Sequence, residues 1–136
     1  MSTELQEMSD RECLHLLGTH DVGRLGVVDG EACPLVFPVN YIFDEGIVVF
    51  RTGAGSKLNL APGAPVCFEI DGWAPGAGIG WSVLVKGTAH DITHSRGMPT
   101  GRMKLLPVEP AAPGSREHWI GIWANEITGR KFEAAT

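Results

Sequence analysis

Residues 22–52 read VGRLGVVDGEACPLVFPVNYIFDEGIVVFRT, and this stretch decides the fold. Three apolar runs are separated by turn residues. Val22 to Val28 leads into Asp29-Gly30, a dipeptide suited to a two-residue hairpin. Ala32 to Phe43 resumes as a strand and ends at Asp44-Glu45-Gly46, and Ile47 to Thr52 forms a third. Within the middle run Leu35, Phe37, Val39, Tyr41 and Phe43 share one side, and Val36, Pro38, Asn40 and Ile42 the other. Pro34 and Pro38 cannot donate to a ladder, so they place that strand at an edge or a bulge. The three runs make an antiparallel meander.

Outward from the meander, Ser9 and Glu12 stand at capping-box spacing, with Met8 and Cys13 placed for a hydrophobic staple. They predict a helix that stops at Gly18. Residues 1–8 are expected to be flexible. After Thr52, Gly53 to Gly55 lead into a short helix over Ser56–Ala61. Val66 to Asp71 alternates as a strand with Val66, Phe68 and Ile70 inward. Gly72 to Gly80 reads as a loose loop and Gly80 to Asp91 as a long strand. Residues 94–115, broken by Pro99, Pro107, Pro110 and Pro113, read as an irregular excursion, and Trp119 to Ile127 as the last strand. Six strands at hairpin spacing predict an all-β, closed or partly closed barrel, one domain over residues 1–136.

Composition narrows the function. The 136 residues include 18 Gly and 9 Pro, in keeping with many turns, and carry a net charge of −5. An acidic chain with no basic run argues against nucleic acid as the main partner. No apolar run is long enough to span a membrane, and Met1 to Arg11 lacks a signal-peptide pattern. Cys13, Cys33 and Cys67 form neither a metal motif nor a disulfide framework, so buried free thiols in a reducing cytoplasm are expected. His15, His20, His90, His94 and His118 show no ligand spacing, and no metal is expected.

The segment Val48 to Leu58 carries the most chemistry. A strand ends in Arg51 and Thr52, a glycine turn follows, and a helix opens with Ser56 and Lys57. A forked guanidinium, an ammonium, a hydroxyl and helix-start amides suit a phosphate group. A solvated strand end with two unrelated cations is the competing reading. Trp81-Ser82 at the start of a strand suits the floor of a planar ligand, a core position or a subunit interface. Asn40, a polar residue on an otherwise apolar face, is either a structural bridge or a reader of a ring's polar edge.

Taken in order, Gly23-Arg24-Leu25, Pro38 to Tyr41, Phe50-Arg51-Thr52, Gly55 to Leu58, Phe68 to Asp71 and Gly80 to Gly87 resemble the flavin-binding proteins related to pyridoxamine 5′-phosphate oxidase. The likeness is to their small single-domain actinobacterial branch, and it covers about residues 9–90, with an echo at Ile127 to Arg130. It implies a six-stranded antiparallel split β-barrel that forms a homodimer and holds flavin mononucleotide (FMN) between subunits. Arg51, Ser56 and Lys57 would hold the phosphate, with Thr52 at the phosphate or ribityl chain. Val39, Asn40 and Tyr41 would line the ring. Trp81 and Ser82 would border ring or ribityl, with help from the partner subunit. The implied function is a flavin-dependent oxidoreductase acting on a small molecule. A non-catalytic flavin carrier or sensor and a deazaflavin-dependent reductase are the alternatives. The resemblance does not extend to the C-terminal residues with which the oxidase itself holds pyridoxamine phosphate. The sequence shows no catalytic set and leaves the catalytic residues unknown; because a flavin carries the electrons, that does not count against an enzyme.

Overall fold

The computed structural model describes residues 3–52, 63–94 and 118–134. The chain runs β1 (Thr3–Glu7), α1 (Asp10–Thr19), β2 (Val22–Val28), β3 (Pro34–Asp44), β4 (Ile47–Thr52), β5 (Ala64–Ala74), a 3-10 turn (Pro75–Ala77), β6 (Ile79–Asp91) and β7 (His118–Ala134). All strand pairings are antiparallel, in the order β1-β7-β4-β3-β2-β5-β6, and β6 pairs again with β7. Strands β2 to β7 therefore close a six-stranded split barrel. β1 is a seventh strand laid along the C-terminal half of β7, with Leu5 opposite Phe132.

The barrel fills itself because alternate residues of every strand point inward. Leu25, Val27, Tyr41, Val48, Phe50, Val66, Phe68, Ile70, Val83, Val85, Ile120 and Ile122 form its core. The helix α1 closes one end. Ser9 caps it, its Oγ accepting from the Glu12 amide at 3.2 Å. The Glu12 carboxylate is bound by Lys131 of β7 at 2.8 Å, which fastens the helix to the barrel. Met8 and Cys13 pack together on Gly129, where a side chain would collide with the Cys13 sulfur.

β7 is the strand on which closure depends. Its first half pairs with β4 on one edge and β6 on the other, and its second half pairs with β6 and β1. The β6–β7 register slips between Lys86 and Gly87, which face Glu126 and Ala124 and leave Asn125 as the extra residue of a bulge. There the two backbones come so close that a side chain on Gly87 would overlap the Trp123 carbonyl oxygen.

Several expectations need correction. Residues 3–7 are strand β1 rather than flexible chain; their partner lies at the far end of the sequence, where no local signal reaches. Asp29-Gly30 does not make a two-residue hairpin. The connection runs from Asp29 to Cys33 and is organised by the Asp29 carboxylate, which accepts from the Glu31 and Cys33 amides at 2.8 and 2.9 Å, while Ala32 takes the left-handed conformation. Residues 72–74 and 79–80 belong to strands, not to a loose loop, because Gly72 and Gly80 leave room for the Trp81, Trp73 and Phe132 rings. β7 continues seven residues past Ile127 to Ala134. Of the three free thiols only Cys13 is buried; Cys33 lies in the β2–β3 connection and Cys67 faces outward on β5. The helix expected over residues 56–61 and nearly all of the 94–115 excursion lie outside the described residues.

The close approach at the bulge generates a prediction. Gly87→Ala should force the β6 and β7 backbones apart and cost about 2 kcal/mol, read as a lower urea midpoint at an unchanged m-value.

Candidate functional site

The predicted residues of β3 and β4 lie near the C-terminal turn of α1, where Val22 pairs with Asn40 and the Tyr41 hydroxyl reaches the Leu17 carbonyl. β4 pairs with β3 only from Tyr41 onward, Tyr41 lying opposite Phe50. Val39 and Asn40 precede this pair on β3, and Arg51 and Thr52 follow it on β4. Among the described residues, β2 is the one strand that pairs with residues 34–40. The Tyr41 amide donates to the Asp21 carbonyl, on the β2 side, at 2.9 Å. The backbone groups of Pro34, Val36, Pro38 and Asn40 therefore point away from β2. Two of these four positions are proline, so the edge lacks two donors and resists pairing with a foreign strand. The prolines lie where the sequence placed them, at an edge.

Arg51 lies half-buried on the outer face of β4 with its guanidinium carbon 5.0 Å from the centroid of the Trp119 ring. Trp119 is its direct cross-strand partner on β7. The ring and the guanidinium form a cation–π pair. The same outer face holds a small apolar cluster of Ile47, Val49 and Ile92 with Ile42, Trp119 and Trp123.

Next to this, Thr52 lies opposite His118. The His118 Nδ1 is 2.8 Å from the Asp91 carboxylate. The hydroxyl of Thr93 and its amide both donate to the other oxygen of that carboxylate, and the Thr93 hydroxyl accepts from the Trp119 amide at 2.9 Å. Partial burial works to raise the Asp91 pKa. The bonds from Thr93 and His118 outweigh it and hold Asp91 below the usual carboxylate range. Sequence reading missed this group because Asp91 and His118 meet only through the β6–β7 ladder.

Tyr41 is the sequence-predicted residue with the least freedom. It is buried in the core, meets Phe68 edge-on at 4.7 Å, and donates its hydroxyl to the Leu17 carbonyl at 2.7 Å. Burial raises its pKa far above the usual phenol range. Its side chain joins the barrel to the C-terminal turn of α1. Val39 is buried beside it, and Asn40 is half-buried on the outer face. Ser56 and Lys57 lie outside the described residues.

Trp81 and Ser82 lie elsewhere. Ser82 is opposite Asp71 on β5 and Arg130 on β7, whereas Arg51 is opposite Trp119. Arg51 and Ser82 thus face positions eleven residues apart along β7. Trp81 packs on Gly72 and against the His20 ring at 4.9 Å. With Leu5, Trp73, Arg130 and Phe132 it lines an open groove of about 400 Å³. The structure thus gathers Val39, Asn40, Tyr41, Arg51 and Thr52 on the adjoining strands β3 and β4 and places Trp81 and Ser82 apart from them on β6, with Trp81 reaching the His20 ring just before β2.

Comparison with known proteins bears on these placements. Residues 9–131 match the family model for pyridoxamine 5′-phosphate oxidase. An FAD-binding protein from Mycobacterium smegmatis has a similar structure, with a TM-score of 0.76 at 29% identity over 94% of this chain and 98% of that one. A candidate pyridoxamine 5′-phosphate oxidase from Corynebacterium glutamicum is similar with a TM-score of 0.76 at 30% identity, over 100% and 99% of the two chains. An uncharacterised Mycobacterium tuberculosis protein is 33% identical over 96 residues, which are 66% of this chain and 62% of that protein. The chain therefore spans less than two thirds of that relative's length. Among the described residues no helix is long and apolar enough to cross a membrane.

Two predictions separate scaffold from site. Tyr41→Phe leaves the Leu17 carbonyl without its donor and should cost about 1–2 kcal/mol of stability while ligand affinity stays unchanged, measured by urea unfolding and ligand titration. Asp91 has a folded-state pKa below its unfolded value, so its contribution is present above about pH 4 and is lost as pH falls through the lower, folded value. The stability gap between the parent and Asp91→Asn should therefore shrink in acid unfolding series carried from pH 5 toward pH 2.

Proposed function

The chain belongs to the pyridoxamine 5′-phosphate oxidase family, and from that premise we propose that it binds a flavin nucleotide, FMN in its simplest form, between two copies of itself. The observation that carries this reading is the juxtaposition at the β3–β4 strand ends. An Arg braced on a Trp ring adjoins a strand edge whose backbone groups face outward. The guanidinium suits the phosphate, with Thr52 next to it in the chain and Ser56 and Lys57 proposed, from the resemblance alone, to share it. The edge at Val39 and Asn40 suits the polar rim of an isoalloxazine ring. The structurally similar Mycobacterium smegmatis protein binds FAD, which shares the ring, ribityl chain and first phosphate with FMN.

Trp81 and Ser82 lie on β6, away from the β3–β4 ends, which suits a flavin bordered by two copies of the chain. The outer face of β2 and β3 also exposes Val22, Val28 and Val36, the last 68% exposed, which suits a partner surface. When bound, the flavin would supply hydride and electron transfer. The protein's own contribution is to hold the phosphate, orient the ring along β3 and exclude water from it. We therefore read the protein as a flavin-dependent oxidoreductase acting on a small molecule in the cytoplasm.

The test is a ligand titration. Arg51→Ala combined with Lys57→Ala should weaken FMN binding about a hundredfold and riboflavin binding little, since only charge-assisted bonds to phosphate are lost. Equal losses would refute the phosphate assignment. A flavin-loaded protein that sediments as a monomer would refute the interface. Loaded protein that oxidises no nicotinamide cofactor with any acceptor would favour a carrier over an enzyme.

A further inference from the structure

Four neighbouring strands carry two rows of residues on the outer face of the sheet. Leu5 of β1, Phe132 of β7, Gly80 of β6 and Trp73 of β5 lie side by side in one row. Glu7, Arg130, Ser82 and Asp71 form the next. Direct cross-strand partners share a face, so both rows border one surface. Gly80 has no side chain, and the Trp73 and Phe132 rings lie across it, 4.9 Å apart and tilted by 49°. With Leu5 these rings make one apolar wall. It is exposed, Trp73 to 63% and Leu5 to 61%. The open groove of about 400 Å³ runs beside it, bordered on its polar side by Ser82, Asp71 and Arg130.

The polar row gives the groove its charge preference. Arg130 is exposed and, among the described residues, forms no ion pair. The neighbouring cations are already engaged. Lys131 binds Glu12 at 2.8 Å, and Arg24 binds Asp71 at 2.8 Å and Glu69 at 3.2 Å. Asp71 therefore has its counter-charge on the β2 side and does not need Arg130. A guanidinium beside an aromatic wall matches a ligand with a flat apolar body and one carboxylate, whose two oxygens take the forked donors. Ser82, the direct partner of Arg130, adds a hydroxyl. The carboxylates of Asp71 and Glu7 in the same row repel a second negative charge, which favours a monoanion over a phosphate ester. A groove of this size suits a single fused-ring system rather than a dinucleotide.

We propose that this groove binds a small planar aromatic monocarboxylate, with its ring against Trp73 and Phe132 and its carboxylate on Arg130. Trp81 and Ser82, assigned above to the border of the flavin, also line the groove. The ligand is therefore the substrate; that identification rests on the flavin reading, whereas the binding does not.

The experiment is a calorimetric titration of the full chain with naphthoate, its uncharged amide and naphthyl phosphate. The parent should bind naphthoate most tightly of the three. Arg130→Gln should weaken naphthoate about tenfold and leave the amide within experimental error. Trp73→Ala should weaken both severalfold. Both variants truncate exposed side chains, and an unchanged urea midpoint checks that they fold. No binding by the parent, tighter binding of naphthyl phosphate, or equal losses for naphthoate and amide in Arg130→Gln would overturn the proposal. So would a dimer that Trp73→Ala dissociates while naphthoate fails to bind, since the wall would then be a contact between copies. FMN uptake is measured separately. Naphthoate binding as expected in a chain that takes up no flavin would keep the groove as a ligand site and remove only its role as the substrate's seat.

Discussion

The ladder between β6 and β7 is the constraint on which the rest of the structure depends. It joins the two ends of the strand order and converts an open meander into a barrel. Closure imposes a bend, and the bulge at Asn125 absorbs it with two backbones almost in contact at Gly87. The same ladder carries the placements that matter for binding. It sets Trp119 under Arg51 by way of β4, brings Asp91 to His118, and lines Ser82 up with Arg130.

Two devices shape the strand ends of β3 and β4 for a ligand. β4 pairs with β3 only as far as Tyr41, so among the described residues the first part of β3 is paired along its β2 edge. Proline at 34 and 38 removes half of the amides that would otherwise invite another strand. Behind this edge Tyr41 and Val39 are held rigidly, Tyr41 by its bond to the helix. A rigid inner face beside that edge is what a planar ligand needs, since the protein then loses little conformational freedom on binding.

How far the sequence could be read depended on the range of the interaction. The boundaries of β2 and β4 and the alternation along β3 and β5 follow from period-two patterns and were legible. The helix was legible through Ser9 and Glu12, although Glu12 turned out to serve Lys131 as well. Glycines misled. Gly72 and Gly80 suggest a loop when read locally, but in the fold they make room for Trp81, Trp73 and Phe132. Their role is set by what packs on them, and that is not written nearby. β1 was missed for the same reason, being defined by a partner more than a hundred residues away.

By itself the sequence determined the strand alternation, the capped helix, the proline-marked edge and the kind of residues available to hold an anion, because each depends on neighbours within a few positions. The tertiary structure alone decided which of those residues meet. It placed Arg51 on Trp119 and His118 on Asp91, spent the Tyr41 side chain on the core, and set Trp81 and Ser82 apart from them on β6. These outcomes depend on strand register and barrel closure, which arise from pairings between distant segments and have no local signature.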